Sequence, residues 1–144
     1  MAIDEVRFAH HIRLIWKSER QTMSRIVLFH TQTTAPEVDY PRPERLLSGN
    51  PKRTTWNHYS NDSDEVFAGV WACDPGSWRI QMGDREDEFF FVTRGRCRLH
   101  ADDGSVAECG AGQSLVIPAG FSGVFEVIEA MEKHYMIVER KPQK

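Results

Sequence analysis

Two stretches of this chain decide its fold: GSWRIQMGDREDEFFFVTRG at residues 76–95 and GQSLVIPAGFSG at residues 112–123. Both stretches contain glycines, and the second also contains Pro118, at positions that are typical of sharp turns. The runs between these turn residues are rich in β-branched and aromatic side chains, which favour strands. The two stretches therefore predict short strands joined by tight turns.

The same rhythm extends over the chain from residue 54 onward, with strand-like runs at intervals of about eight to twelve residues. The runs are TTWNHY, VFAGVWAC, SWRIQM, EFFFVT, CRLHA, SVAEC, SLVIP, GVFEVIE and KHYMIVE. Many short strands at this spacing predict an antiparallel sandwich or barrel. Asp103-Gly104 predicts a hairpin between CRLHA and SVAEC, and Gly95 predicts another hairpin with a positive φ.

Composition excludes several classes of protein. The chain has 144 residues, of which 40% are hydrophobic and 27% charged, which is typical of one globular domain. A formal net charge of −3 gives no reason to expect nucleic acid as a partner. No apolar run is long enough to span a membrane, and the N-terminus lacks the apolar core of a signal peptide. We therefore expect a cytoplasmic location. The three cysteines follow no metal-binding spacing, so we expect reduced thiols, although Cys109 could be reactive.

The chain divides into three segments. Residues 1–23 form an N-terminal extension, in which apolar residues near helical spacing permit a short helix. Alternatively, the native chain begins at Met23, and MSRIVLFH continues as a strand. Residues 24–53, rich in proline, form an extended arm, and residues 54–140 form the barrel.

The run Phe89–Phe91 breaks the alternation of apolar and polar residues. If Glu88 points inward, then Phe90 and Val92 point inward as well, and Phe89 and Phe91 point outward. A strand that is apolar on both faces must be covered on both. We favour a homodimer in which the arm takes part; cover by the arm alone is the alternative.

The chain resembles a single-domain cupin. Within the cupins it resembles a small, largely uncharacterised branch related to the ethanolamine-utilisation cupin and to ureidoglycine aminohydrolase. The resemblance covers about residues 24–140 and is carried by GVWACDPGSWRI (69–80), EDEFFFVTRGRCRL (86–99), DDGSVAECGAGQSLVIPAGFSGVFEV (102–127) and EKHYMIVE (132–139). It implies an all-β, double-stranded β-helix jelly-roll barrel with a ligand pocket inside.

The chain lacks the histidine ligands that metal-dependent members of the family it resembles carry. The two frames that carry it are G-x5-H-x-H-x3-E-x6-G and G-x5-P-x-G-x2-H, and they supply the metal ligands of metal-dependent cupins. In this chain the three histidine positions hold Met82, Asp84 and Gly123, and Glu88 alone remains. A thioether suits hard ions poorly. We therefore expect no tightly bound metal or other cofactor, although two carboxylates could hold a divalent ion weakly.

The candidate site lies inside the barrel. We expect the pocket to be lined by Trp78, Ile80, Met82, Asp84, Phe90 and Phe125. The candidate catalytic residues are Glu88, Lys133 and Tyr135. Desolvation would favour the neutral form of the Glu88 carboxyl, so that it could act as a general acid or base unless Lys133 or Asp84 altered this. Lys133 and Tyr135 share one strand face and, if that face points inward, could bind and orient a ligand. Each residue has a structural alternative: Glu88 a hydrogen-bonding residue of the barrel kept for turn geometry, Lys133 a surface charge, and Trp78 and Phe125 plain core.

Three functions remain open. The first is the binding of a small polar metabolite in the barrel without a tightly bound metal, by a cytoplasmic protein that contacts neither membranes nor nucleic acid. The second is an enzyme of ureide, amide or carboxylate metabolism that uses Glu88 as acid or base. The third is a dimeric interaction module. Aminohydrolase activity is disfavoured, because the chain has one cupin unit and no histidine-based metal site.

Overall fold

A computed structural model describes residues 24–143 of the chain. The prediction for the N-terminal extension, residues 1–23, lies outside the described residues. Within the described part there are nine strands: β1 (Glu37–Asp39), β2 (Leu46–Ser48), β3 (Arg53–Ser60), β4 (Val66–Cys73), β5 (Gly76–Gln81), β6 (Glu86–Ala101), β7 (Val106–Gly110), β8 (Ser114–Ile117) and β9 (Ser122–Glu139). Helical structure in the same part is limited to one 3₁₀ turn at Phe29–Thr31, and no described helix could cross a bilayer.

The strands form a jelly-roll barrel around two long central strands. β6 and β9 pair antiparallel along almost their whole lengths. At one end of this pair the strand order in the sheet is β1-β3-β4-β9-β6-β8, and at the other end it is β2-β5-β9-β6-β7. The two sheets therefore share β6 and β9, and the all-β barrel predicted from the sequence is confirmed.

Gly95 lets β6 pass from one sheet to the other. Its φ is +83°, as predicted, but the predicted hairpin is wrong, because the strand continues through this residue. The register between β6 and β9 shifts between Val92 and Cys97, which marks a bulge that bends the strand. A Cβ atom at residue 95 would lie 2.2 Å from the carbonyl oxygen of Ala130 on β9, so that only glycine fits this corner.

The predicted alternation along β6 is confirmed. Glu88, Phe90 and Val92 are buried, whereas Phe89 is 48% exposed and Phe91 is 39% exposed. The core lies between the two sheets and is formed by Phe67, Trp71, Cys73, Trp78, Ile80, Met82, Phe90, Val92, Cys97, Leu99, Cys109, Ile117, Phe125, Val127, Met131, Tyr135 and Ile137. The inward face of β6 thus carries Glu88 into a largely apolar interior.

The arm lies on the outside of the barrel. Its two short strands extend the sheets at their edges, since β1 pairs with β3 and β2 pairs with β5. The strand predicted after Met23 is absent from residues 24–28, where Ile26 is 99% exposed. Instead, the Phe29 ring packs against the rings of His58 and His134, at centroid distances of 5.0 and 5.4 Å.

This contact predicts a pH dependence of stability. Burial lowers the pKa of His58 below its usual value of 6.5, and the neighbouring His134 lowers it further. The unfolded chain therefore binds a proton more readily than the folded chain. We expect the contribution of His58 to be complete above its unfolded pKa and to be lost as the pH falls through that value toward the lower folded pKa.

Urea unfolding between about pH 7.5 and about pH 5.5 measures this effect. His58 also hydrogen-bonds through Nδ1 to Oγ1 of Thr34, at 2.9 Å, so acid should loosen the arm first. The variant His58→Gln should flatten the pH profile, whereas the exposed control His30→Gln should keep the wild-type slope. Equal slopes for wild type and His58→Gln would contradict the prediction.

Candidate functional site

A buried ion pair lies at the centre of the barrel. Nζ of Lys133 donates to Oε2 of Glu88 at 2.7 Å, and the two side chains are only 4% and 2% exposed. Glu88 points inward from β6 and Lys133 points inward from β9, so the inward direction that was left open for Lys133 is the observed one. A pair buried this deeply is stable only when close geometry compensates for the loss of water around both charges.

Aromatic rings surround the ammonium group of Lys133. Its Nζ atom lies 4.2 Å from the centroid of Phe90, 4.5 Å from that of Trp71 and 5.2 Å from that of Phe125. Trp78 stacks on Phe125 at a centroid distance of 5.2 Å. Ring faces attract cations, more strongly away from water. The site therefore holds one cation by a carboxylate on one side and ring faces on the others.

Two polar atoms of this site have unused hydrogen-bonding capacity. Oε1 of Glu88 and Nε1 of Trp78 are both buried, and neither has a hydrogen-bond partner within residues 24–143. The first atom is an acceptor and the second is a donor. A buried polar group without a partner costs stability, so each such group in a native fold calls for an explanation. Each of the two atoms could therefore take part in one further hydrogen bond.

Tyr135 is turned toward β3. Its hydroxyl donates to Oδ1 of Asn57 at 2.8 Å, and Nδ2 of Asn57 donates to Oγ of Ser60 at 2.9 Å. Burial raises the pKa of Tyr135 well above its usual value, and the charge of Glu88 adds to this effect. The phenol therefore remains a protonated donor near neutral pH, which suits an orienting residue better than a base.

The structure brings most of the predicted site residues together. Among the expected pocket residues, those that are buried are Trp78, Ile80, Met82, Phe90 and Phe125. Asp84 does not follow the expectation: it is exposed in the turn between β5 and β6, because β5 ends before it. Sequence reasoning missed Trp71 and Asn57. Trp71 could have been found as a large aromatic residue in the apolar run VFAGVWAC, whereas a lone asparagine in a strand carries no comparable signal.

The described residues do not fit a tightly bound metal. Met82 offers a buried thioether, and Glu88, which keeps the only ligand position of the two frames, is already bonded to an ammonium group. Gly123 leaves no room for a side chain, since a Cβ atom there would lie 2.1 Å from the carbonyl oxygen of His100. No group of three or more His, Cys, Asp or Glu residues between positions 24 and 143 could hold a metal ion.

The cysteines are poor nucleophiles. All three are free and buried. Burial raises the pKa of Cys73 and that of Cys97 to about 12, and it raises the pKa of Cys109 as well. The reactive form of a cysteine is the thiolate. Cys109, which could have been reactive by sequence, therefore lacks the setting that would activate it.

Comparisons with known proteins agree with the fold. A family model described as the EutQ-like cupin domain matches residues 61–135. No curated protein matches the chain. A solved structure of a protein of unknown function from Pseudomonas syringae pv. tomato matches 77% of the chain with a TM-score of 0.66 and 20% identity, and the match spans 46% of that protein.

Two further solved structures carry the name EutQ. The EutQ protein of Clostridium difficile matches 63% of the chain and 65% of its own length, with a TM-score of 0.55 and 17% identity. The ethanolamine utilization protein EutQ of Salmonella typhimurium matches 76% of the chain and 100% of its own length, with a TM-score of 0.54 and 16% identity. At these identities the structures show a shared fold.

Proposed function

This chain belongs to the EutQ-like cupin family, and we propose that it binds a small, polar, electrically neutral molecule inside the barrel without a tightly bound metal ion. The observation that carries the proposal is the pair of unused polar atoms, Oε1 of Glu88 and Nε1 of Trp78. Both belong to inward-facing residues of the aromatic-lined site that holds Lys133. A few polar groups in apolar surroundings are typical of small-molecule sites.

The chemistry of the two atoms favours an amide or a ureide. The indole N–H of Trp78 needs an acceptor, which a carbonyl oxygen provides. The free oxygen of Glu88 needs a donor, which an amide N–H provides. A ligand that carries both groups would relieve both buried atoms at once, and flat amide and ureide groups could pack on the rings of Phe90 and Phe125.

The charge balance of the site favours a neutral ligand. Glu88 and Lys133 already neutralise each other at 2.7 Å. A ligand carboxylate would compete with Glu88 for the ammonium group and would leave one of the two buried carboxylates without a counterion. Such an unpaired charge is strongly unfavourable in a protein interior. The proposed ligand therefore differs from the carboxylate that Lys133 alone would attract.

A thermal-shift screen tests the proposal. Acetamide, urea and N-alkylureas should raise the melting temperature of the wild-type chain, whereas acetate and alkylammonium salts should not. Trp78→Phe removes the indole donor and should weaken the binding of the best ligand by about tenfold. Trp56→Phe makes the same change on the half-buried side of β3 and should leave binding unchanged.

Three results would count against the proposal. They are a panel without any stabilising amide or ureide, a stronger shift with carboxylates, and a ligand that binds Trp78→Phe as well as wild type. Elemental analysis that finds near one metal ion per chain would overturn the metal-free part. Recovery of the bound ligand unchanged supports a binding protein, and its conversion to product would support the enzymatic alternative, with Glu88 as acid or base.

We place this function in a reducing compartment such as the cytoplasm. Three buried cysteines remain free. Cys97 and Cys109 face each other across β6 and β7 without a disulfide, which suits a chain that works among reduced thiols.

A further inference from the structure

Lys133 carries an amine at the centre of the barrel, where lysine side chains are uncommon. The side chain is only 4% exposed. Among the described residues its Nζ atom donates one hydrogen bond, to Oε2 of Glu88 at 2.7 Å. Lysine serves as a nucleophile toward carbonyl carbon when its amine is removed from water and a group beside it can take its proton. Lys133 and Glu88 therefore supply an amine and its base in direct contact.

A third group lies on the same aromatic site. The ring of Trp78 stacks on Phe125, and Nζ of Lys133 lies over the ring of Phe125 at 5.2 Å. Nε1 of Trp78 and Oε1 of Glu88 are both buried, and neither has a hydrogen-bond partner in the described part of the chain. An N–H donor near a nucleophile stabilises the negative charge that develops on a carbonyl oxygen under attack. The site thus contains a nucleophile, a base and a donor for a carbonyl oxygen.

We propose that Lys133 captures a small neutral hydroxyaldehyde by forming a protonated imine with it. The aldehyde belongs to the neutral polar molecules of the proposed function, on which this inference rests. Its carbonyl oxygen accepts a hydrogen bond from Nε1 of Trp78, and its hydroxyl group donates one to Oε1 of Glu88. Amides and ureides make the same two hydrogen bonds but resist attack by an amine, so only the aldehyde forms a covalent bond.

The proton of Lys133 returns to its starting point in this reaction. It first passes from Nζ to Oε2 of Glu88, and rotation about the Cε–Nζ bond turns the lone pair toward the ligand. Nζ then bonds to the carbonyl carbon, and one proton moves from nitrogen to the former carbonyl oxygen, which gives a neutral carbinolamine. Glu88 returns its proton to this hydroxyl group, the C–O bond breaks, and water leaves. The products are a protonated imine, a carboxylate and water, and no oxidant or reductant takes part.

The surroundings of Lys133 suit the product. A protonated imine carries the same positive charge as the ammonium group that it replaces, so Glu88 remains its counterion. The rings of Phe90 and Trp71, with centroids at 4.2 and 4.5 Å from Nζ, attract this charge as well. Imines are hydrolysed by water, and burial limits the access of water to the new bond.

Reductive trapping on the full chain tests the proposal. Cyanoborohydride reduces an imine to a stable secondary amine, so peptide mapping by mass spectrometry identifies each lysine that has reacted with glycolaldehyde. In the folded chain Lys133 should be labelled at least about tenfold faster than the exposed Lys52. In guanidinium chloride, where the chain is unfolded, the two lysines should be labelled at equal rates. Propanal has the same number of non-hydrogen atoms but no hydroxyl group, and it should label Lys133 about tenfold more slowly relative to Lys52.

Two variants and a competitor locate the reaction in the barrel. Trp78→Phe removes the donor to the carbonyl oxygen and should slow the labelling of Lys133 by about tenfold, and circular dichroism checks that it is folded. Trp56→Phe, at a half-buried position of β3, should leave the labelling unchanged. Acetamide should protect Lys133 but not Lys52, because it makes the same hydrogen bonds as the aldehyde.

The proposal is overturned if Lys133 in the folded chain is labelled no faster than Lys52, or if folded Trp78→Phe is labelled as fast as Trp56→Phe. If amides and ureides still raise the melting temperature in that case, the proposed function stands and only the covalent step fails. If no neutral ligand stabilises the chain either, both fail together.

Discussion

Lys133→Met should lower the free energy of unfolding by about 3–5 kcal/mol, since removal of one partner leaves the other charge buried alone. Lys133 is the ion-pair partner of Glu88, at 2.7 Å, and both side chains are almost fully buried. The loss of contacts with the rings of Trp71 and Phe90 adds to the effect. Methionine has a similar length, so little of the change should come from an empty space.

Urea unfolding measures this loss, and two further variants identify its cause. The double variant Lys133→Met/Glu88→Leu should recover most of the lost stability, because no buried charge remains. Lys52→Met, at an exposed position, should change stability by less than about 0.5 kcal/mol. A double variant no more stable than Lys133→Met would contradict the ion-pair explanation.

Gly123→His should disrupt the barrel, although histidine is the residue that the second frame places at this position. A Cβ atom at residue 123 would lie 2.1 Å from the backbone oxygen of His100 and 2.9 Å from the ring of Phe121. The clash is with the backbone of the paired strand β6, which cannot move aside without breaking the ladder. We expect a loss of more than about 3 kcal/mol and no gain of a bound metal.

Thermal unfolding and metal analysis of the purified variant check this result. Gly110→Ala is the matched control, because the atoms nearest its added Cβ belong to the guanidinium group of Arg96, at 3.0 Å. A long surface side chain can swing away, so this control should lose at most about 1 kcal/mol. A Gly123→His variant with wild-type stability, or one that binds a metal ion tightly, would show that the barrel can still accept the missing ligand.

Much of the fold could be predicted from local patterns. Period-two alternation put Glu88 and Phe90 on one face of the strand and Phe89 on the other, and in the structure the first face points inward. The pattern failed at Gly95, where it predicted a hairpin. A glycine with positive φ can either reverse a chain or bend one strand by a bulge, and the sequence around it does not distinguish the two.

The candidate site could be predicted only in part. Alternation put Lys133 and Tyr135 on one face of a strand but left open which face was inside. Asp84 was expected in the pocket because of its place in the histidine frame, yet it lies in an exposed turn, since β5 ends at Gln81. A spacing in sequence fixes the position of a residue along the chain, but the end of a strand decides where its side chain lies.

The sequence by itself determined most of the strands, the turn glycines and which side chains of a strand share a face, because these depend on neighbours within a few residues. Only the tertiary structure decided which groups meet. Lys133 and Glu88 are 45 residues apart, and they form an ion pair because β6 and β9 run side by side in one register. The same register aligns Phe89 with Val116 and Met136 on the outside. Register depends on bulges and on packing across the whole barrel, and no local pattern specifies it.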